Sequence, residues 1–126
     1  MKKTIVTTAA APAAVGPYSQ AITAGELVFC SGQIPLDPST GQLVGGSIAE
    51  QTQRCMQNLE AVLEAAGTSL ANVVQVRAFL TDIEDYAEFN EAYAGFAGSD
   101  PPARAAFDVS ALPRGAAVEI ECIAHL

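Results

Sequence analysis

The apolar positions along the chain predict six strands and two helices. Residues 3–8 (Lys-Thr-Ile-Val-Thr-Thr) are rich in β-branched side chains and read as a short strand. An Ala/Pro stretch to Ala14 reads as a loop, and Gly16-Pro17 marks a turn before a second strand over about 19–23. Ala24-Gly25-Glu26 then connects to the run 27–31 (Leu-Val-Phe-Cys-Ser), too short for a buried helix, so the two strands form a hairpin. Asp37-Pro38-Ser39-Thr40-Gly41 has the composition of a surface turn. Ser47 and Glu50 are spaced as a capping box. After them Ile48, Cys55, Met56, Leu59, Val62, Leu63 and Ala66 fall on one helical stripe, which Gly67 terminates. Residues 72–81 alternate as a strand, with Val74, Val76, Ala78 and Leu80 on a fully apolar face. A second helix spans about 84–97, and its stripe of Tyr86, Phe89, Tyr93 and Phe96 reads as core packing, with Asn90 at its edge. The last two strands, 104–109 and 117–124, are joined by residues 110–115 and read as a hairpin.

The resulting order is β-β-β-α-β-α-β-β. Two helices of these lengths pack on one face of a mixed sheet, which makes an α+β two-layer sandwich in a single domain, 1–126. The strands are apolar on both sides, so the sheet's other face calls for pairing between copies of the chain.

Composition narrows the function. Half of the residues are apolar and 16% are charged, as in a folded domain. The net charge of −8, with no lysine after Lys3, opposes binding to phosphate backbones and anionic membranes. No apolar run is long enough to span a bilayer, and no h-region follows Lys2-Lys3, so a cytoplasmic location is expected. Cys30, Cys55 and Cys122 sit in apolar contexts, form no C-x-x-C pair and are expected to be buried free thiols. The lone histidine, His125, is penultimate and reads as a surface residue.

The chemistry that remains centres on Arg104. Pro101-Pro102 block helix ahead of it and set its guanidinium at a rigid strand entrance, where it can grip a carboxylate bidentately or pair with one of the 14 acids. Glu119 and Glu121 share one face of the last strand, and the expected hairpin brings Glu119 near Arg104. Gly32 either lets a ligand approach the backbone or marks a bulge. No nucleophile elbow, zinc motif, P-loop or dinucleotide fingerprint occurs. An arginine, a carboxylate, a phenol and backbone donors suit hydrolysis of an activated small molecule without a metal or organic cofactor.

Gly16-Pro17-Tyr18-Ser19-Gln20, Ser31-Gly32-Gln33-Ile34-Pro35, Pro102-Ala103-Arg104 and Glu119-Ile120-Glu121 occur in the order found in the RidA/YjgF family of imine/enamine deaminases. The chain resembles that family along essentially its whole length, and its deaminating branch through Arg104. The resemblance implies a chorismate-mutase-like homotrimer with pockets between subunits. It also implies hydrolysis of 2-imino acids such as 2-iminopropionate, formed from 2-aminoacrylate, to 2-oxo acids and ammonia. Arg104 would clamp the substrate carboxylate and Glu119 would position water. Tyr18, Ser31, Gly32 and Asn90 would line the pocket. Many members carry a cysteine where this chain has Ala106, so thiol-dependent regulation there is not expected. Two other readings use the same resemblance: a non-catalytic metabolite-binding or chaperone-like trimer, and a translation-inhibiting ribonuclease, which the net charge of −8 opposes.

Overall fold

The structure is a computed structural model that describes residues 1–126. Strands β1 (Lys3–Val6), β2 (Ala21–Ala24), β3 (Leu27–Gln33), β4 (Val73–Leu80), β5 (Ala103–Asp108) and β6 (Val118–His125) form one sheet in the order β1-β2-β3-β6-β4-β5. Helices α1 (Ile48–Ala65) and α2 (Tyr86–Ala97) share one buried cluster with Val28, Val76, Leu80 and Ile120, so both cover the same face. The α+β sandwich and its element order are those the apolar pattern predicts. No helix is long and apolar enough to cross a membrane.

Helix α1 begins and ends on its sequence signals. Ser47 Oγ accepts the Glu50 backbone N–H at 3.1 Å, and Gly67 takes φ +90° just past the last turn. The stripe from Ile48 to Leu63 is buried, but so are Gln51, Thr52 and Asn58. Two of these polar residues act as staples. Asn58 Nδ2 donates to the Leu36 carbonyl at 2.9 Å while its Oδ1 accepts from Arg54 Nε at 3.1 Å. Gln51 Oε1 accepts the Ala117 N–H at 3.0 Å. They hold segment 34–36 and the entry of β6 against the helix.

The expected hairpin between the last two strands does not form. β5 runs parallel to β4 at the edge of the sheet, and β6 lies between β3 and β4, antiparallel to both. Burial explains the choice. Val118, Ile120, Cys122 and Ala124 are all at most 4% exposed, which only a central strand under the helices provides. β5, with Arg104, Asp108 and three alanines, tolerates an edge. The connection passes the end of β4, where Val109 N–H donates to Leu80 O at 2.8 Å and Thr81 N–H donates to Ala117 O at 3.2 Å.

Two smaller corrections have local causes. Val74 is 43% exposed instead of facing the core, because the β4–β6 register slips between Val73 and Gln75 and leaves it on a bulge. A 3₁₀ turn at Ile83–Asp85, capped by Asp82, delays α2 to Tyr86. Tyr86 therefore sits at the helix entrance, 38% exposed, while Phe89 and Tyr93 are buried as core.

The sheet face away from the helices carries exposed Ile5, Phe29 and Phe107, the last in an edge-to-face pair with Phe79 at 5.2 Å. The three thiols are buried and free. Cys30 and Cys122 are cross-strand partners, and burial pushes the Cys55 thiol far up.

Removing the Asn58 staple should weaken the fold and loosen segment 34–36 together. Asn58→Ala is expected to lower unfolding stability by about 1–3 kcal/mol, the usual cost of stranding a buried carbonyl. A urea titration reads the loss, and faster amide exchange within 34–44 locates it.

Candidate active site

The residues picked out from the sequence fall into two groups. Tyr18, Ser31, Gly32 and Glu119 line one groove of about 640 Å³, together with Gln33, Arg114 and Glu121. Arg104 and Asn90 lie elsewhere, beside α2.

The groove is built on a bulge. In the β3–β6 ladder Cys30 opposes Cys122 and Gln33 opposes Ile120, so Ser31 and Gly32 together face Glu121. Of the two readings of Gly32, the structure shows the bulge. A Cβ there would run into the Glu119 carboxylate, whose Cδ would be only 3.0 Å away. Ser31 Oγ donates to Ser19 O at 2.6 Å. Tyr18 follows Gly16, at φ +144°, in a tight turn, and its hydroxyl accepts the Val15 N–H at 3.3 Å. Gln20 pins the rim: its Oε1 accepts Thr8 N–H at 2.7 Å and its Nε2 donates to Pro12 O at 2.8 Å.

Glu119 and Glu121 share a face, as strand alternation requires, while Val118, Ile120 and Cys122 point into the core. Glu121 is paired with Arg77, Nε to Oε1 at 2.7 Å. Glu119 has no cation partner. Burial, and then the neighbouring Glu121 charge, push its carboxyl above the ordinary carboxylate range. A half-buried carboxylate of raised basicity at a groove wall can hold a water and take its proton.

Arg104 is separated from this groove. It is in register with Val76, whereas Glu119 is in register with Phe79, three positions along β4. That is about 10 Å along the strand and two strand spacings, about 10 Å, across it. Arg104 also points to the helix side, where Val76 is buried, and Glu119 to the opposite side. The expected proximity of the two within one chain is thus overturned by the central place of β6. Arg104 has no acidic partner. Its Cζ lies 4.9 Å from the Tyr93 ring centre, 5.4 Å from Phe89 and 5.8 Å from Tyr86, and Nη2 donates to the Tyr86 hydroxyl at 3.0 Å. Hydrogen bonding with Asn90, and the Arg104 charge, hold the Tyr86 phenol below its usual range.

The structure thus holds a guanidinium free of acids at one edge and a carboxylate of raised pKa in a groove on the other face. The family model described as Endoribonuclease L-PSP matches residues 8–126. The chain belongs to the YjgF/RidA family. Among its relatives, a human 2-iminobutanoate/2-iminopropanoate deaminase is 46% identical over 120 residues, 95% of this chain and 88% of that protein. A RutC family protein of Pyrococcus abyssi is 48% identical over 99% of this chain and 98% of its own length. The fold agrees: E. coli TdcF with bound serine superposes with a TM-score of 0.93 at 36% identity, covering 98% of both chains.

Within this YjgF/RidA fold, residues the sequence reading passed over also shape the site. Arg114 lines the groove in a left-handed conformation, φ 59°, that non-glycine residues seldom adopt, and its Nη1 donates to Gly41 O at 2.8 Å. Leu112-Pro113-Arg114-Gly115 was legible only as a connection, although a Pro-Arg-Gly turn beside the acids could have marked it. Gln20 stood out only as the last residue of the Gly16-Pro17-Tyr18-Ser19-Gln20 motif, and Tyr86 only as part of the aromatic stripe.

The raised Glu119 pKa has a consequence for stability. The folded state keeps this proton to higher pH than the unfolded chain does. Stability from this group is therefore greatest below the ordinary carboxylate range and falls as pH rises through the folded pKa. Glu119→Gln removes that loss. It should melt at or above the parent temperature near neutral pH, with the difference shrinking by about pH 4, where ordinary carboxylates protonate. Thermal melts at the two pH values test the sign.

Proposed function

We propose that the protein is a hydrolytic deaminase of small 2-imino acids, such as 2-iminopropanoate and 2-iminobutanoate, releasing 2-oxo acids and ammonia. The observation that carries this reading is Arg104: a guanidinium held by aromatic rings, with its donors free of any carboxylate, in a chain of 14 acids. Relatives named as deaminases of these substrates support the choice of reaction. The serine bound to TdcF, an α-carboxylate beside an α-nitrogen, has the outline such a substrate would present.

Arg104 grips the substrate carboxylate in this reading, and Tyr18, Ser31, Gly32 and Asn90 line the pocket. Glu119 takes a proton from its water as the oxygen adds to the C=N carbon and returns it to the imine nitrogen, giving the carbinolamine. The hydroxyl proton then moves to the amine nitrogen, the C–N bond breaks, ammonia leaves, and the oxygen becomes the carbonyl. The imine is reactive already, so orientation and water placement are the main contributions.

Arg104 and Glu119 face opposite ways in one chain, so one small substrate meets both only where a second copy supplies the missing half. The apolar outer face, with Ile5, Phe29 and Phe107, offers the surface for that contact. We place the pocket between subunits of a homotrimer. RNA cleavage, the activity in the family description, has less support: the charge is −8, and the exposed His125 has only the Leu126 carbonyl beside its Nδ1, at 2.7 Å.

Two measurements test the proposal. Arg104→Ala should abolish binding of 2-oxobutanoate in a calorimetric titration and remove about 2–4 kcal/mol of transition-state stabilisation, with little rescue by lysine, which lacks the planar fork. Glu119→Gln should bind 2-oxobutanoate within several-fold of the parent while turnover falls roughly 10²–10⁴-fold. Hydrolysis of 2-iminobutanoate by Arg104→Ala at the parent rate would refute the assignment. Separately, light scattering should give the mass of a trimer, and a monomer at micromolar concentration would remove the shared pocket.

A further inference from the structure

The three rings around Arg104 do different work. Phe89 and Tyr93 hold the guanidinium over their faces, Cζ 5.4 and 4.9 Å from the ring centres, because a cation is drawn to the face of a ring. That attraction is not directional and does not fix how the fork is turned. The hydroxyl of Tyr86 does: it receives a directional hydrogen bond from Nη2 at 3.0 Å and so takes one corner of the fork. Arg104 is half-buried on an edge strand, and its long side chain would otherwise sample several rotamers. Tyr86 is not in the core, so packing alone does not account for its place: it is 38% exposed at the entrance of α2, beside the one cation it touches.

We propose that Tyr86 is a positioning residue for Arg104, one that sets which edge of the guanidinium is presented to the carboxylate of a 2-imino acid. This rests on the reading of Arg104 as the carboxylate clamp. A neutral phenol accepts one N–H and leaves the positive charge available. A phenolate would pair with Arg104 and compete with the substrate carboxylate for it. The groups that face this cluster are Tyr86, Asn90 and Tyr93 on α2, Arg104 on β5, and Cys122 on β6 behind Tyr93. Burial raises the Tyr93 phenol, and the neighbouring Cys30 thiol raises that of Cys122. Of the two phenols beside Arg104, Tyr86 is held down and Tyr93 pushed up, and the Cys30 thiol behind Cys122 is also lowered, so an alkaline loss of binding is assigned to Tyr86 only where the phenylalanine variant lacks it.

Tyr86→Phe keeps the ring and deletes the acceptor. In the full-length protein it should raise the Kd for 2-oxobutanoate and the KM for 2-iminobutanoate about three- to tenfold, with kcat within about twofold, as expected for loss of one hydrogen bond to the binding group. The parent should lose 2-oxobutanoate affinity toward alkaline pH, and the phenylalanine variant should not lose it over the same range. A residue that only packs against the helix would move neither the KM–kcat split nor the pH profile. Arg104→Ala is run alongside. If it fails to bind 2-oxobutanoate while Tyr86→Phe matches the parent at every pH, the positioning role is wrong and the clamp stands. If Arg104→Ala binds as the parent does, the clamp falls and the role of Tyr86 falls with it.

Discussion

The alternation of side chains along β6 is the constraint on which both core and site depend. Val118, Ile120, Cys122 and Ala124 point into the helix-covered core, so Glu119 and Glu121 must point out of it. A one-residue slip would bury two carboxylates and expose the core, which fixes the register more firmly than any single hydrogen bond. Because β6 lies between β3 and β4, the two outward acids meet different neighbours. Glu121 finds Arg77 of β4, and Glu119 finds the gap left by Gly32 on the β3 bulge. One acid is thereby paired, and the other is left half-buried with its pKa raised.

The same placement separates the proposed clamp from the proposed base. Had β5 and β6 formed a hairpin, Arg104 and Glu119 would have been neighbours, and the simplest outcome would be a cross-strand ion pair. Inserting β4 between them, and turning them to opposite faces, prevents that pairing within a chain. The groove walls are anchored from the helix side by Asn58 and Gln51, so the buried polar residues of α1 serve the site as much as the core.

Much of this was legible in the sequence. The stripe of α1, its Ser47 cap and its Gly67 stop, the β2–β3 hairpin and the strand content all follow from local periods and propensities. Strand order was not legible, since adjacency in sequence favours a β5–β6 hairpin and only the burial demand of Val118 to Ala124 moves β6 to the centre. The bulge at Val74 left no mark in an alternating run. Tyr86 was hidden because spacing assigns it to the stripe, while the 3₁₀ turn before α2 puts it at the rim. The groove residues Tyr18, Ser31, Gly32 and Glu119 were recoverable from motif order, but that Arg104 stands on the other face was not.

Holding an arginine ready for an anion is difficult in a chain of net charge −8, where carboxylates are the commonest available partners. A carboxylate within reach would hold the guanidinium more tightly than a ring does, but it would occupy both prongs of the fork and cancel the charge an incoming anion needs. Aromatic faces avoid this. The ring quadrupole attracts the cation by about 0.5–2 kcal/mol without taking a donor. Phe89 and Tyr93 are buried by the core in any case, so the platform adds little cost to folding. Only one donor of Arg104 is engaged inside the chain, by a neutral phenol. The electrostatic demand for an unpaired cation and the packing demand for aromatic core residues therefore meet on one side of α2, beside the edge strand that carries Arg104.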